Sequence, residues 1–362
     1  MKTILVVEPY YGGSHKQFLE GLSRWVEAEW IFLTLPARKW KMRMQLSAPW
    51  FEQQVRSMPR HHFHAVLCSS FVDVAVLRSL LVRLPGWNRQ CIFCTYYHEN
   101  QFVYPSQVDD PSQFQFTSIN FTTALASDRI AFNSRFNRDS FLENSALYLR
   151  KAADMDLEKC LVETAAKSTV LYPGQDFTNF PNGSTGKNSH IPVICWNHRW
   201  EHDKNPEEFF HVLEWLDSLG EEFRLVVLGQ SFAAAPAIFS RARKVFHSKI
   251  KHFGYIEDKD EYLRLLTECD IVVSTSHHEF FGIAVIEAVR AGCIPLVPDR
   301  LCYPELYPRR YRYGDSELGQ KLRALMQTIR EKGGWECRFD TERFTWTGLH
   351  RQYQRWLALD EE

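Results

Sequence analysis

Apolar and polar positions along this chain alternate between short buried-type runs and amphipathic stretches. Thr3–Glu8 is a run of the buried-strand type, and Phe18, Leu22, Trp25 and Val26 then recur at helical spacing. Trp30–Leu35, His64–Cys68, Cys91–Thr95 and Arg129–Phe132 read as further strands with helical segments between them. The second half repeats the scheme with strands at Pro192–Trp196, Arg224–Leu228, His252–Ile256, Asp270–Ser274 and Cys293–Val297. Asn205 predicts a helix N-terminus, with Pro206 at the first helical position and Glu207 and Glu208 behind it. Phe209, Val212, Leu213 and Leu216 give that helix its inner face, and Gly220 closes it. Alternation of this kind predicts an α/β protein with mostly parallel sheets.

A length of 362 residues exceeds what one core usually supports, so two domains are expected. The polar stretch Asn179–His190, which carries Gly and Pro, is the natural linker. The expected division is a Rossmann-like domain over 1–170, a linker over 171–190 and a second Rossmann-like domain over 191–345. A terminal helix over 346–362 then puts Leu349, Tyr353, Trp356 and Leu357 on one face. Hydrophobic residues at 45% and charged ones at 24% are ordinary for a soluble globular chain. No apolar run approaches the ~18 residues of a membrane span, and Glu8 cuts the first run too short for a signal peptide. A net charge of −1 leaves any nucleic-acid partner dependent on a local basic patch. The nine cysteines are scattered, which suits reduced thiols in the cytoplasm. Cys91 and Cys94 would point to opposite faces of one strand, and no second pair completes a zinc site, so no metal is expected.

The segment Glu279-Phe280-Phe281-Gly282-Ile283-Ala284-Val285-Ile286-Glu287 places two carboxylates around a strand-to-helix turn, with a helix expected from about Ala284 to Gly292. In open α/β sheets ligands sit at the carboxyl ends of strands. Amide groups at a helix start attract phosphate, and a carboxylate accepts hydrogen bonds from paired sugar hydroxyls. The pattern reads as a sugar-nucleotide pocket; the plainer alternative is a solvated Glu279 and a helix-surface Glu287. Arg199 and Lys204 follow a strand and precede the Asn205 helix, where fixed cations could stabilise charge on a departing diphosphate. Asp258-Lys259-Asp260 reads as a helix N-terminus rather than a metal motif.

These motifs resemble the retaining glycosyltransferases of family 4, which have the two-lobed GT-B fold. Glu279 and Glu287 match the E-x7-E signature, and Arg199 and Lys204 the Arg-x4-Lys element. The resemblance implies two Rossmann-like domains facing a central cleft, with a C-terminal helix crossing back to the first domain. It assigns donor binding to Gly12, Gly13, Arg199, Lys204, Gly254, Tyr255, Phe280, Phe281, Gly282, Ile283 and Glu287. Glu279, His98, Arg199 and Lys204 are the expected catalytic set, with His98 beside the donor sugar. Asn133-Ser134, Leu171–Asp176 and Gly229 match weaker family positions.

Glu8–His15, Pro36–Lys41, Tyr97–Gln101 and Trp196–Glu201 look closer to one subgroup, the tRNA-queuosine mannosyltransferases. That resemblance implies GDP-mannose as donor, queuosine-containing tRNA-Asp as acceptor and an α-mannoside as product, with no cofactor, membrane or protein partner. Arg38, Lys39, Trp40, Lys41 and Arg43 interleave cations with an aromatic in what reads as a long loop. The cations suit phosphates, and Trp40 suits stacking on an unpaired base. Arg60-His61-His62 and Arg309-Arg310-Tyr311-Arg312 could extend that surface. Two other readings stay open: a family-4 enzyme acting on a lipid or glycan, and a non-catalytic sugar-nucleotide-binding protein.

Overall fold

The computed structural model describes residues 1–59, 62–104, 113–180, 191–232, 235–332 and 339–360. The chain forms two compact units, Met1–Asp176 with Glu342–Glu362, and Phe177–Thr341. Residues 181–190 of the expected linker, and Arg60 and His61, lie outside the described residues.

The first unit carries six parallel strands: β1 (Thr3–Tyr11), β2 (Glu29–Pro36), β3 (Ala65–Ser69), β4 (Ile92–Tyr97), β5 (Arg129–Phe132) and β6 (Ser168–Val170). Their spatial order is β2-β1-β3-β4-β5-β6. Alternate residues of β1 feed two cores, as a two-residue period requires. Ile4 and Val6 pack with Phe18, Leu22 and Tyr96 on one face, and Leu5 and Val7 pack with Phe51, Val66 and Leu77 on the other. Cys94 and Cys91 divide between the same two cores. The helix Trp346–Trp356 joins the first of these through Trp346, Leu349, Tyr353 and Trp356. Trp346 fits only because Gly21 and Gly174 lack side chains: a Cβ on either would come within 2.2 Å of the indole.

The second unit carries β7 (Val193–Asn197), β8 (Arg224–Leu228), β9 (Ile250–Gly254), β10 (Ile271–Val273), β11 (Ile294–Pro298) and β12 (Arg312–Tyr313). Their order β12-β11-β10-β7-β8-β9 is that of a Rossmann sheet. Strand order reverses between β1 and β3 in the first sheet and between β7 and β10 in the second, where ligands bind such sheets. Among the described residues, no helix is long and apolar enough to cross a membrane.

Four local expectations need correction. The segment after β2 is not a long loop, because a helix begins at Trp40 and runs to Arg56. β1 continues to Tyr11, so the expected Gly-rich loop shrinks to Gly12 ahead of the helix Gly13–Trp25. β9 lies two residues earlier than its apolar run suggested, and Tyr255 is 64% exposed beyond it. Asn205 does start the helix Pro206–Ser218, yet its side chain makes no cap bond to the backbone and donates to Glu208 Oε2 at 2.6 Å.

Candidate functional site

In the second unit, the segments that leave β7 and β10 are laced together by hydrogen bonds. Thr275 Oγ1 donates to the Lys204 carbonyl at 2.9 Å, and the His277 amide donates to the Asp203 carbonyl at 2.8 Å. Lys204 ends a 3₁₀ turn, His202–Lys204, and is only 6% exposed. Its Nζ donates to the His278 carbonyl at 2.6 Å and lies 3.2 Å from Asp203 Oδ2 and 3.3 Å from Glu279 Oε2. Burial alone would raise the Glu279 carboxyl, but the Lys204 ammonium outweighs it and holds the group at about 2. Burial opposes the Lys204 charge too, and Glu279 and Asp203 more than restore it, so its pKa is raised. His198 is driven down to about 4, by burial first and then by Lys204. The cluster thus holds a charged lysine, an ionised Glu279 and a neutral imidazole at neutral pH.

Arg199 is exposed, with Nη2 3.0 Å from Glu201 Oε2, and its charge is felt by both His198 and Lys204. This segment rests directly on Gly229. A Cβ there would stand 1.7 Å from the His198 carbonyl oxygen, and its φ of +132° also excludes ordinary side chains.

After Glu279 the chain turns through Gly282, whose φ of +80° suits glycine, into the helix Ile283–Arg290. The first intrahelical bond is Val285 N–H to the Gly282 carbonyl, and the amides before it belong to the helix's open N-terminal turn. Phe280 and Phe281 are buried, and Phe280 meets His278 edge-on with ring centroids 4.6 Å apart.

Glu287 is not a solvated helix carboxylate. It accepts from Lys259 Nζ at 2.6 Å and from Tyr262 OH at 2.7 Å. Asn197 Nδ2 in turn donates to Tyr262 OH at 2.8 Å and to the Ala284 carbonyl at 3.1 Å, tying the network to the end of β7. Lys259 and Tyr262 went unnoticed in the sequence because Asp258 masked them as a helix start. That reading also holds: Asp258 Oδ1 accepts from the Glu261 amide at 2.7 Å. Gly254 ends β9, two strands from β7, and Tyr255 follows it.

The first unit has its own cluster at the carboxyl ends of β1, β3 and β4. His15, in the first turn after Gly12 and Gly13, is buried with Nδ1 3.0 Å from Glu8 Oε2 and Nε2 3.5 Å from Glu99 Oε2. Burial disfavours its charge, but the two carboxylates outweigh that and lift it to about 10. Glu8 also accepts from the Tyr10 amide at 2.7 Å and Ser69 Oγ at 3.1 Å. His98 stacks on His15 at 4.0 Å and 27°. Burial and then the His15 charge push His98 well below 6.5, so it is neutral. Its carbonyl accepts from Asn133 Nδ2 at 2.6 Å. Glu8, His15 and Glu99 lie in segments that carried the family resemblance, yet none was given a role there, because the pairing with Glu99 joins the ends of β1 and β4, which are not neighbours.

Arg38, Lys39 and Lys41 are exposed and Arg43 is half-buried at the start of the helix Trp40–Arg56. Trp40, however, is packed inward. It stacks on Phe71 at 5.7 Å and 22° and meets Phe116 at 5.2 Å, and it is half-buried. Among the described residues, no group of three or more His, Cys, Asp or Glu is arranged to hold a metal.

Residues 3–175 match the family described as tRNA-queuosine alpha-mannosyltransferase N-terminal, and residues 181–307 match glycosyl transferases group 1. The chain is 36% identical, over 88% of its own length and 85% of the relative's, to a tRNA-queuosine alpha-mannosyltransferase of Drosophila melanogaster. The chain belongs to the tRNA-queuosine alpha-mannosyltransferase family. It is therefore a hexosyltransferase, and the fold comparisons place it in the GT-B class. A glycosyltransferase from Rickettsia africae superposes with a TM-score of 0.66 at 16% identity, over 100% of this chain and 99% of that one. Sucrose-phosphate synthase from Thermosynechococcus elongatus superposes at 0.68 with 12% identity, over 99% of each chain. In this queuosine-mannosyltransferase family member, the Lys204–Glu279 pair follows β7 and β10, between which the strand order reverses.

Proposed function

We propose that the protein transfers mannose from GDP-mannose, with retention of configuration, to queuosine at the wobble position of tRNA-Asp, in the cytoplasm and without a metal. The observation that carries the donor half is the buried Lys204 ammonium held between Asp203 and Glu279, with the open start of the helix Ile283–Arg290 following that carboxylate. Leaving-group departure builds negative charge on the distal phosphate. Preorganised Lys204, Arg199 and the Gly282–Ile283 backbone suit that charge without reorganising at the moment of reaction. Glu279 fixes Lys204 and orients the mannose with the backbone from Phe280 to Ile283. Glu287 accepts the ribose hydroxyls, sharing them with Lys259, and the backbone at Gly254 and Tyr255 meets the base. In the first unit, neutral His98 and the Gly12-Gly13 turn are that unit's own candidates for sugar contact.

Calorimetric titration with GDP-mannose, GDP and UDP-glucose tests the donor half. GDP-mannose should bind at least tenfold more tightly than UDP-glucose, and Lys204→Met should weaken GDP far more than it weakens guanosine. Equal affinity for the two sugar nucleotides, or donor binding indifferent to Lys204→Met and Glu287→Gln, would reject the assignment.

A further inference from the structure

The helix Trp40–Arg56 buries Met44, Ala48, Phe51 and Val55, yet three large apolar side chains also stand on its outer side. Met42 is 50%, Leu46 57% and Trp50 38% exposed. Recurring every four residues, they form one stripe along the helix. The surroundings are cationic: Arg38, Lys39 and Lys41 are exposed beside the first turn, and the helix's one acid, Glu52, accepts from Arg56 Nε at 2.9 Å. The helix start is also tied to the strand-end cluster by a column of rings. Trp40 stacks on Phe71, Phe71 on His15 at 5.3 Å, and His15 on His98 at 4.0 Å.

We propose that Met42, Leu46 and Trp50 form a ridge against which unpaired bases of the tRNA anticodon loop stack, while Arg38, Lys39 and Lys41 hold the loop's phosphates. The proposal rests on the tRNA reading above and moves the stacking role from Trp40 to the opposite face of its own helix. Unpaired bases stack on aromatic and apolar side chains, and neighbouring cations track the backbone. A membrane surface asks instead for a broad apolar helix face. Here the broad face is spent on the core, and what remains is one side chain wide.

The test uses a fluorescent queuosine-containing anticodon stem-loop, full-length tRNA and phosphatidylserine vesicles, with the full chain. Leu46→Ser/Trp50→Ala should raise the stem-loop Kd and the tRNA KM by about tenfold or more, leaving GDP-mannose affinity and the melting curve unchanged. Lys39→Ala/Lys41→Ala should flatten the dependence of log Kd on log salt, which the ridge variant should preserve. Unchanged stem-loop affinity in the ridge variant would overturn the proposal. So would wild-type binding to vesicles that the ridge variant loses while its RNA binding stays intact. Stem-loop binding through the ridge without any mannose transfer would support the ridge and reject the acceptor assignment, so the two fail separately.

Discussion

Replacing Glu8 with glutamine keeps the shape of the cluster around His15 and removes one of its two anions. At an effective dielectric of ~20, unit charges 3.0 Å apart attract by ~5 kcal/mol, or ~4 decades of proton affinity. The imidazole held at about 10 in the native protein should therefore return to roughly 6 in E8Q. Because the folded value lies above the ordinary 6.5, the stabilisation from His15 is complete below pH 6.5 and is lost as pH rises through about 10. Inside that window the native protein should lose ~1.4 kcal/mol per pH unit relative to E8Q. Histidine-labelled NMR between pH 5 and 10.5 reads the titration directly, and urea unfolding at pH 6, 8 and 9.5 reads its linkage to stability. A His15 signal that titrates near 6.5 in the native protein would refute the charge-clamp reasoning. So would identical pH dependence of stability in native protein and E8Q.

Lys204→Met leaves Glu279 buried without its cation, which should cost ~3 kcal/mol of stability and at least ~100-fold in transfer. Adding Glu279→Gln should recover part of the stability but none of the transfer, measured by urea unfolding and initial rates. Gly229→Ala should displace His198–Trp200, since its Cβ would stand 1.7 Å from the His198 carbonyl; donor affinity by calorimetry should fall even where the melting curve survives. Glu279 is held at about 2, so its stabilising charge is fully present above pH 4.5 and is lost only as pH falls through about 2. With His98 and His198 both held neutral, the rate of transfer between pH 5.5 and 8 should show no histidine-like step near 6.5, which a pH–rate profile checks.

Most strands were legible because parallel strands buried on both faces read as continuous apolar runs. Arg129–Phe132 and Arg224–Leu228 match their expected bounds, and the other long runs differ by one to three residues at their ends. β6 and β12 escaped because they span only three and two residues and carry half-buried positions. β9 was shifted because Tyr255 and Ile256 continue a strand-like apolar pattern, although Gly254 ends the strand. The packing of Trp40 on Phe71 and Phe116 was not legible either, because those rings come from distant segments of the chain. Residues close in sequence, such as Arg199 and Lys204, could be grouped by spacing alone. The Lys204–Glu279 contact joins the segments that follow β7 and β10, and the clamp around His15 joins β1 to the segment after β4. Both depend on strand order, which no local pattern encodes.

The most direct test is nucleoside mass spectrometry of queuosine-containing tRNA incubated with the protein and GDP-mannose. The proposed activity predicts a single hexose added to queuosine by the native protein, released by α-mannosidase, and absent with Lys204→Met. Unmodified queuosine after incubation with a protein that demonstrably binds GDP-mannose would contradict it.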